Sequence, residues 1–489
     1  MNRLNTQTLL SLDPTIAQPR YDRANLNCGI VHLGIGAFHR AHQAVYTETV
    51  LNRHGGDWGI VGCSLRSGGV RDQLAPQNGL YTVAVKSSKD TRYQVIGAVK
   101  KIVLAPENPA VLIEQLSAGE MKIVTLTITE KGYCHDPATG DLNLEHPNIV
   151  HDLAHPSSPK SAIGFLVYAL QQRHQNNLPG FTILSCDNLP DNGKVCAKVV
   201  TQFAQAVSPE LNQWIQKNVT FPSSMIDRIV PATTETDREN TETILGARDE
   251  GVVVTEPFTQ WVIEDNFLYG RPQWEDAGAQ LVNDVSVYEH MKLKLLNGSH
   301  SMLAYAGYLS GFETISDVME EPAFVRLATR FMNVDAGETV LTPENFDIDH
   351  YKQELRERFA NTSLKHRTWQ IAMDGSQKLP QRLLATIRDQ LTHKAHIDLL
   401  CLGVAAWIRY VSGSDDKGDS IDVCDPMAEI LFNTCQQNSD ATATVHAIVS
   451  LQEIFGTDLI NEQAFVTRTS EWLTRFNNNG VLDTIRVYL

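Results

Sequence analysis

The sequence predicts an α/β protein in which a parallel-sheet domain over residues 1–285 is followed by a mostly helical domain over residues 286–489. Three observations carry that expectation. A β-branched run near the amino terminus enters a glycine turn and then a helix. Short apolar runs then alternate with helical segments, the pattern of a sheet covered on both faces. Beyond about residue 286 the apolar spacing turns helical and stays so.

Residues 1–28 read as an irregular lead-in. Residues 29–33, GIVHL, form the first strand and enter GIGAFHRAH, which continues as a helix through Val45, Thr49 and Val50. Strand, glycine turn and helix in that order make a dinucleotide-binding layout. Gly34 permits the tight turn, Gly36 lets backbone approach a pyrophosphate, and Ile35, Ala37, Phe38, His39 and Arg40 complete the candidate cradle. His39 stands where the usual third glycine would be, and glycines in this spacing also mark ordinary turns. Residues 58–62, WGIVG, read as the second strand, ending in CSLRSGG. An acid at this end commonly binds the adenosine ribose of NAD, yet Ser64, Leu65, Arg66 and Ser67 are not acidic, and Asp57 lies at the wrong end. Arg66 is either a receiver for a 2′-phosphate or a solvated loop arginine, so NAD and NADP both stay open.

Further apolar runs occupy residues 81–85, 123–128, 181–186 and 252–254, with helical segments at 162–171 and 193–206. Ligands of such a sheet collect at the carboxyl ends of its strands. The polar words that follow these runs are therefore candidates: TEKGY with Glu130 and Lys131, CDNLPDNG with Asn188, and the loop MIDRIVP with Asp227 and Arg228. In the second domain Phe324, Leu327, Ala328 and Phe331 follow helical spacing behind Pro322, as do Leu400, Val404, Ile408 and Val411.

The stretch EHMKLKLLNGSHSMLAY, residues 289–305, places a lysine, an asparagine and a histidine in an apolar run. On a regular helix at about 100° per residue, Asn297 lies about 140° and His300 about 80° round from Lys292, so the three share one broad face. Lys294 points elsewhere. An ammonium group among leucines and methionines is paired, faces a water-filled site or shifts its pKa, which is how a lysine becomes a proton-transfer group near neutral pH. The alternative is a lysine that snorkels to the surface beside a hydrogen-bonded core histidine.

At 489 residues with 42% hydrophobic and 20% charged composition, the chain is that of a globular protein of two domains, without an apolar run long enough to span a membrane. Its net charge of −16 argues against nucleic acid and anionic membrane as partners, leaving a small molecule. The eight cysteines form no CxxC pair or zinc spacing, and the sixteen histidines include no HExxH word, so no protein-bound metal is expected. Free thiols and the absence of a secretory signal pattern imply a cytoplasmic location.

Taken together, GIGAFHRAHQA, LTITEKGY, SCDNLPDNG, MIDRIVPAT, EPFTQWVIEDNF, KLKLLNGSHS and WQIAMDGSQKLPQR resemble the mannitol dehydrogenase family of polyol-specific long-chain dehydrogenases, most of all its fructuronate reductase branch. The likeness spans roughly residues 28–415. It implies an extended Rossmann domain followed by a helical domain, and a metal-independent, NAD-dependent oxidation of a secondary alcohol. It also implies roles. Lys292 would be the acid/base, Asn188 and Asn297 the amides that hold the reacting oxygen, and His300 the residue that orients the substrate. Glu289 would relay protons to solvent or be a surface glutamate beside His290. Lys131, with Asp227, Arg228 and Lys378, would contact substrate. A cation at Lys131 suits the carboxylate of a sugar acid better than a neutral polyol, or it pairs with Glu130. The expected reaction interconverts D-fructuronate and D-mannonate. The alternatives are a mannitol-type polyol 2-dehydrogenase, the tagaturonate and altronate pair, and, from another class, a catalytically silent NAD-binding regulator.

Overall fold

Eleven strands run in chain order through the first part of the chain: β1 Cys28–Leu33, β2 Gly59–Ser64, β3 Tyr81–Lys86, β4 Thr91–Ile96, β5 Val99–Leu104, β6 Ile123–Leu126, β7 Thr182–Ser185, β8 Ser224–Asp227, β9 Val253–Thr255, β10 Gln260–Glu264 and β11 Gln280–Val282. This computed structural model describes residues 2–136, 139–344, 346–438 and 440–489. The chain divides into two compact units, Met1–Ser286 and Val287–Leu489.

In the first unit a five-stranded sheet of order β5-β2-β1-β6-β7 is parallel throughout. Every residue of β2, β6 and β7 is buried, and all of β1 except Cys28. That explains their near-continuous apolar sequences, because a strand covered on both faces has no polar side to show. β5 is an edge, and Lys100 and Lys101 sit in its middle, charges that blunt an edge against further pairing. The chain leaves β1 to build β2 on one side and later returns to β6 on the other. The crevice beyond the carboxyl ends of β1 and β6 is thus the switch point where such sheets bind ligands. Helices Ala162–Gln175 and Asn192–Val207 pack together beside the sheet, the first capped by the Ser161 hydroxyl, which accepts from the Gly164 amide at 2.9 Å.

Several expectations are corrected here. The run at 81–85 is β3, which belongs to a separate mixed sheet, β4-β3-β9, antiparallel to β4 and parallel to β9. Three of the seven residues of the predicted MIDRIVP loop are strand: Met225, Ile226 and Asp227 lie in β8, antiparallel to β10 in a third sheet. The helix after the glycine turn is broken at His42 into Ala37–Ala41 and Gln43–His54. The lead-in is tied down, with Arg3 bridging to Arg248 and Ala17 to Gln94. Buried Glu48 accepts from the Tyr21 hydroxyl and from the Gly97 and Ala98 amides, each at 2.8 Å.

The second unit is helical among its described residues. Helix Asp398–Val411 is buried almost all round and packs against Ser299–Leu309 and Gln463–Asn479. Asp398 gathers the carboxyl-terminal helices: its carboxylate accepts from Arg468, from Tyr488 and from the Trp472 ring nitrogen at 3.1 Å. Pro322 opens its helix as expected. Residues 289–305 hold the largest surprise, because Leu293–Gly298 is a π turn rather than α-helix. All eight cysteines are free, and Cys424 alone among them is exposed.

Candidate functional site

β1 ends in Gly34, whose φ of +97° and position 2.1 Å, from a would-be Cβ, to the Thr127 carbonyl oxygen admit only glycine. The amides of Gly34 and Ile35 donate to the Cys63 carbonyl at 2.8 and 3.0 Å, so the turn is pinned to the end of β2. From the other side, His32 reaches Thr125 Oγ1 through Nδ1 at 2.8 Å and Thr127 Oγ1 through Nε2 at 2.8 Å. His39 stacks on His32 with centroids 3.4 Å apart. Burial pushes His32 down to about 3 and His39 well below the usual imidazole range, so two neutral rings underlie the turn.

Above this turn opens a cavity of about 570 Å³ lined by Gly34, Ile35, Gly36, Ser64, Leu65, Arg66, Ser67, Val70, Pro106, Lys131 and Lys160, with the residues around Thr127–Thr129. The turn, a run of apolar side chains and three cations suit a dinucleotide: the Gly34–Gly36 turn for close approach of a pyrophosphate, and Leu65, Val70 and Pro106 for a flat base. Of the predicted cradle, Ala37, Phe38, His39 and Arg40 do not line the cavity. Arg40 turns inward, donating from Nε to the Gly36 carbonyl at 3.2 Å and from a terminal nitrogen to the Gly251 carbonyl at 2.5 Å. Glu130 lies on the same short turn as Lys131, beside but not on the cavity wall.

The CDN word sits at the end of β7. Asp187 is buried and accepts from the amides of Ile128 and Thr129 at 3.1 and 2.8 Å and from the Tyr133 hydroxyl at 2.8 Å, which locks the ends of β6 and β7 together. Burial raises its carboxyl to about 6 against those hydrogen bonds. Next to it Asn188 is exposed. Asn192 clamps the loop from below, donating to the carbonyls of Asp187 and Ser224 at 3.0 and 2.7 Å. Asp227 is buried in β8, and Arg228 after it spends its guanidinium on the carbonyls of Ala41 and Glu256.

In the second unit Glu289, Lys292, Asn297 and His300 are all buried, at 8, 5, 5 and 8% exposure. The π turn changes the angular spacing of two of them. Its hydrogen bonds close over five residues, so Lys292 and Asn297, five apart, come to one face instead of about 140° apart as on a regular helix. Lys294 points away to Asp389 at 2.7 Å. A second π turn, Pro380–Leu384, packs against the first at Gly298, where a Cβ would stand 3.0 Å from the Arg382 carbonyl oxygen. The His300 ring stacks on Phe359 at 4.9 Å and meets His366 edge-on at 5.2 Å. Burial holds His300 well below its usual range, reinforced by His366 and by the cations Arg382, Arg358 and Lys378; burial takes His366 down to about 4. Asn297 Oδ1, an acceptor, and His300 Nε2 are buried polar atoms without a hydrogen-bond partner among the described residues.

Lys378 is positioned by the MDGSQK word. Asp374 adopts a left-handed φ of +55°, Ser376 is anchored to Asp425 at 2.6 Å, and Lys378 Nζ donates to the Met373 carbonyl at 2.6 Å. Arg367 faces Glu313 at 3.7 Å with both side chains exposed. Lys160, Arg358, His366 and Arg382 were not singled out by sequence. Arg382 closes the word WQIAMDGSQKLPQR, which was the available signal; the others have none.

Residues 28–276 match the mannitol dehydrogenase Rossmann domain and residues 284–484 the mannitol dehydrogenase C-terminal domain, so the chain belongs to the mannitol dehydrogenase family of oxidoreductases. It is 48% identical to the uncharacterized oxidoreductase YeiQ of Escherichia coli K12 over 99% of this chain and 100% of that one. It is 47% identical to the D-mannonate oxidoreductase of the same strain, over 94% of this chain and 95% of the relative. Among solved structures, the Pseudomonas fluorescens mannitol 2-dehydrogenase in ternary complex with NAD and D-mannitol superposes with a TM-score of 0.94 at 40% identity, covering 99% of each chain.

Proposed function

We propose that this chain is a nicotinamide-dependent sugar-acid oxidoreductase that interconverts D-fructuronate and D-mannonate. The observation that carries the reading is the positive cluster around His300, where Arg382 donates to the hydroxyl of the adjoining Ser301 at 3.1 Å and Arg358 and Lys378 add charge, in a chain of net charge −16. A uronate carboxylate gains charge-assisted hydrogen bonds from guanidinium and ammonium groups that a neutral polyol does not. The D-mannonate oxidoreductase relative at 47% identity supports the same substrate class.

The bound dinucleotide, NAD in the Pseudomonas fluorescens relative, supplies or accepts the hydride. The protein's own residues do the rest in this reading. An amide donor from Asn297 stabilises the negative charge that builds on the reacting oxygen. Lys292 gives that oxygen its proton in reduction and removes it in oxidation. Glu289, three residues earlier on the same helix, relays the proton outward. His300, held neutral, orients the substrate through Nε2 without adding charge.

The test is an absorbance assay at the nicotinamide wavelength over fructuronate, tagaturonate, fructose and their reduced forms. Fructuronate is expected to exceed fructose in kcat/KM by about a hundredfold, the size of one or two charge-assisted contacts. Equal efficiency on the two would remove the carboxylate from the argument and leave a mannitol-type enzyme. Lys292→Ala is expected to lower kcat by about 10²–10⁴-fold in either case.

A further inference from the structure

The adenosine end of the cavity carries an electrostatic signature that the proposed reaction does not use. Arg66 follows β2, at the place where a ribose-binding acid would select the unphosphorylated dinucleotide. Among the described residues lining the cavity none is a carboxylate, while Arg66, Lys131 and Lys160 are cations. The side chains of Arg66 and Lys160 make no hydrogen bond or ion pair among the described residues. The nearby acids are already committed: Arg71 holds Asp72 at 2.8 Å and also pairs with Glu107, and neither acid lines the cavity. Ser64 and Ser67 place two hydroxyls on either side of Arg66 along the chain and on the same wall.

This wall would repel nothing that carries extra negative charge, and it lacks the acceptor that would make a ribose 2′-hydroxyl preferable to a phosphate. We propose that the cavity accepts the 2′-phosphorylated dinucleotide, NADP(H), alongside NAD(H), with Arg66 as the residue that binds the 2′-phosphate. The inference rests on the dinucleotide reading of the proposed function but not on the identity of the sugar acid. A guanidinium offers the phosphate a bidentate pair, and the serine hydroxyls complete the shell. Arg66 is therefore a specificity determinant and takes no part in hydride or proton transfer.

The experiment is direct binding of NADH and NADPH to the full-length protein, followed by nicotinamide fluorescence, in the wild type and in Arg66→Ala. NADPH is expected to bind within about tenfold of NADH in the wild type. In Arg66→Ala the NADPH dissociation constant is expected to rise by about tenfold or more while that of NADH changes by less than about twofold. Added salt is expected to weaken NADPH more than NADH, because the extra contact is ionic. Wild-type NADPH binding weaker than NADH by more than about tenfold overturns the inference, as does an equal response of both dinucleotides to Arg66→Ala. Tight NADH binding with no NADPH binding would defeat this inference and leave the oxidoreductase reading intact, whereas failure to bind either would defeat both.

Discussion

Gly34 holds a backbone angle that a side chain resists, and the would-be Cβ meets a backbone oxygen that cannot move aside. Gly34→Ala is therefore expected to open the junction between β1 and β6, costing about 1–3 kcal/mol. Dinucleotide affinity should fall with it by more than about tenfold, read by NADH fluorescence titration. At His366 the consequence is a pH dependence. Its imidazole is held at about 4 by burial and then by Lys378, against 6.5 for an ordinary histidine. Between those values the unfolded chain binds a proton that the native chain does not, so stability rises with pH across the window and is lost as pH falls below about 6.5. His366→Gln is expected to flatten the fall in thermal midpoint between pH 7.5 and about 5 relative to wild type, measured by calorimetry. An unchanged slope would mean that His366 is already protonated in the native state.

The two opposed π turns are the element on which the second unit's polar cluster depends. Gly298→Ala would press a methyl group against the Arg382 carbonyl at 3.0 Å and the Phe331 ring at 3.3 Å. The expected result is a loss of about 1–3 kcal/mol in stability together with a fall in kcat larger than any change in KM, since Lys292 and Asn297 would lose their common face. Steady-state kinetics beside a denaturant melt separates the two effects. This element also marks a limit on what a sequence discloses. KLKLLNG has the same apolar periodicity whether the turn closes over four residues or five, because neither propensity nor pattern distinguishes them. The sheet was easier to read. β1, β2, β6 and β7 are buried apolar runs that announce themselves, and the glycine turn and flanking helices set them in a parallel order. β5 went unread because VKKIVL carries two lysines in its middle, the signature of an edge rather than of a core strand. β4, TRYQVI, is half exposed and equally mute. For the candidate site, the words were legible but their partners were not. Nothing in the sequence brings Lys160 to the same wall as Arg66, or Arg358 and His366 to His300, because those meetings are made by tertiary packing.

For the whole molecule, the pertinent fact is that each unit owns its core. The apolar cluster around Met302, Trp407 and Phe455 lies wholly within Val287–Leu489, and those around Val31, Leu126 and Trp261 lie wholly within Met1–Ser286. All the described residues that line the dinucleotide cavity fall between Gly34 and Ala162. A fragment of residues 1–286 is thus expected to melt cooperatively and to bind dinucleotide while showing no turnover, because Lys292, Asn297 and His300 are missing from it. Circular dichroism and the fluorescence titration check the two halves of that statement, and a fragment without a cooperative transition would show that the first core is not self-sufficient.

The distribution of thiols makes the molecule its own clock. Cys424 is the exposed sulfur, while Cys28, Cys63, Cys134, Cys186 and Cys196 belong to one unit and Cys401 and Cys435 to the other. Brief alkylation followed by peptide mass spectrometry would mark Cys424 first, then half-buried Cys28, and the six buried thiols only as their surroundings open. Because the two groups of sulfurs share no unit, the order in which they are modified during denaturation would time the loss of each half separately, without any introduced label.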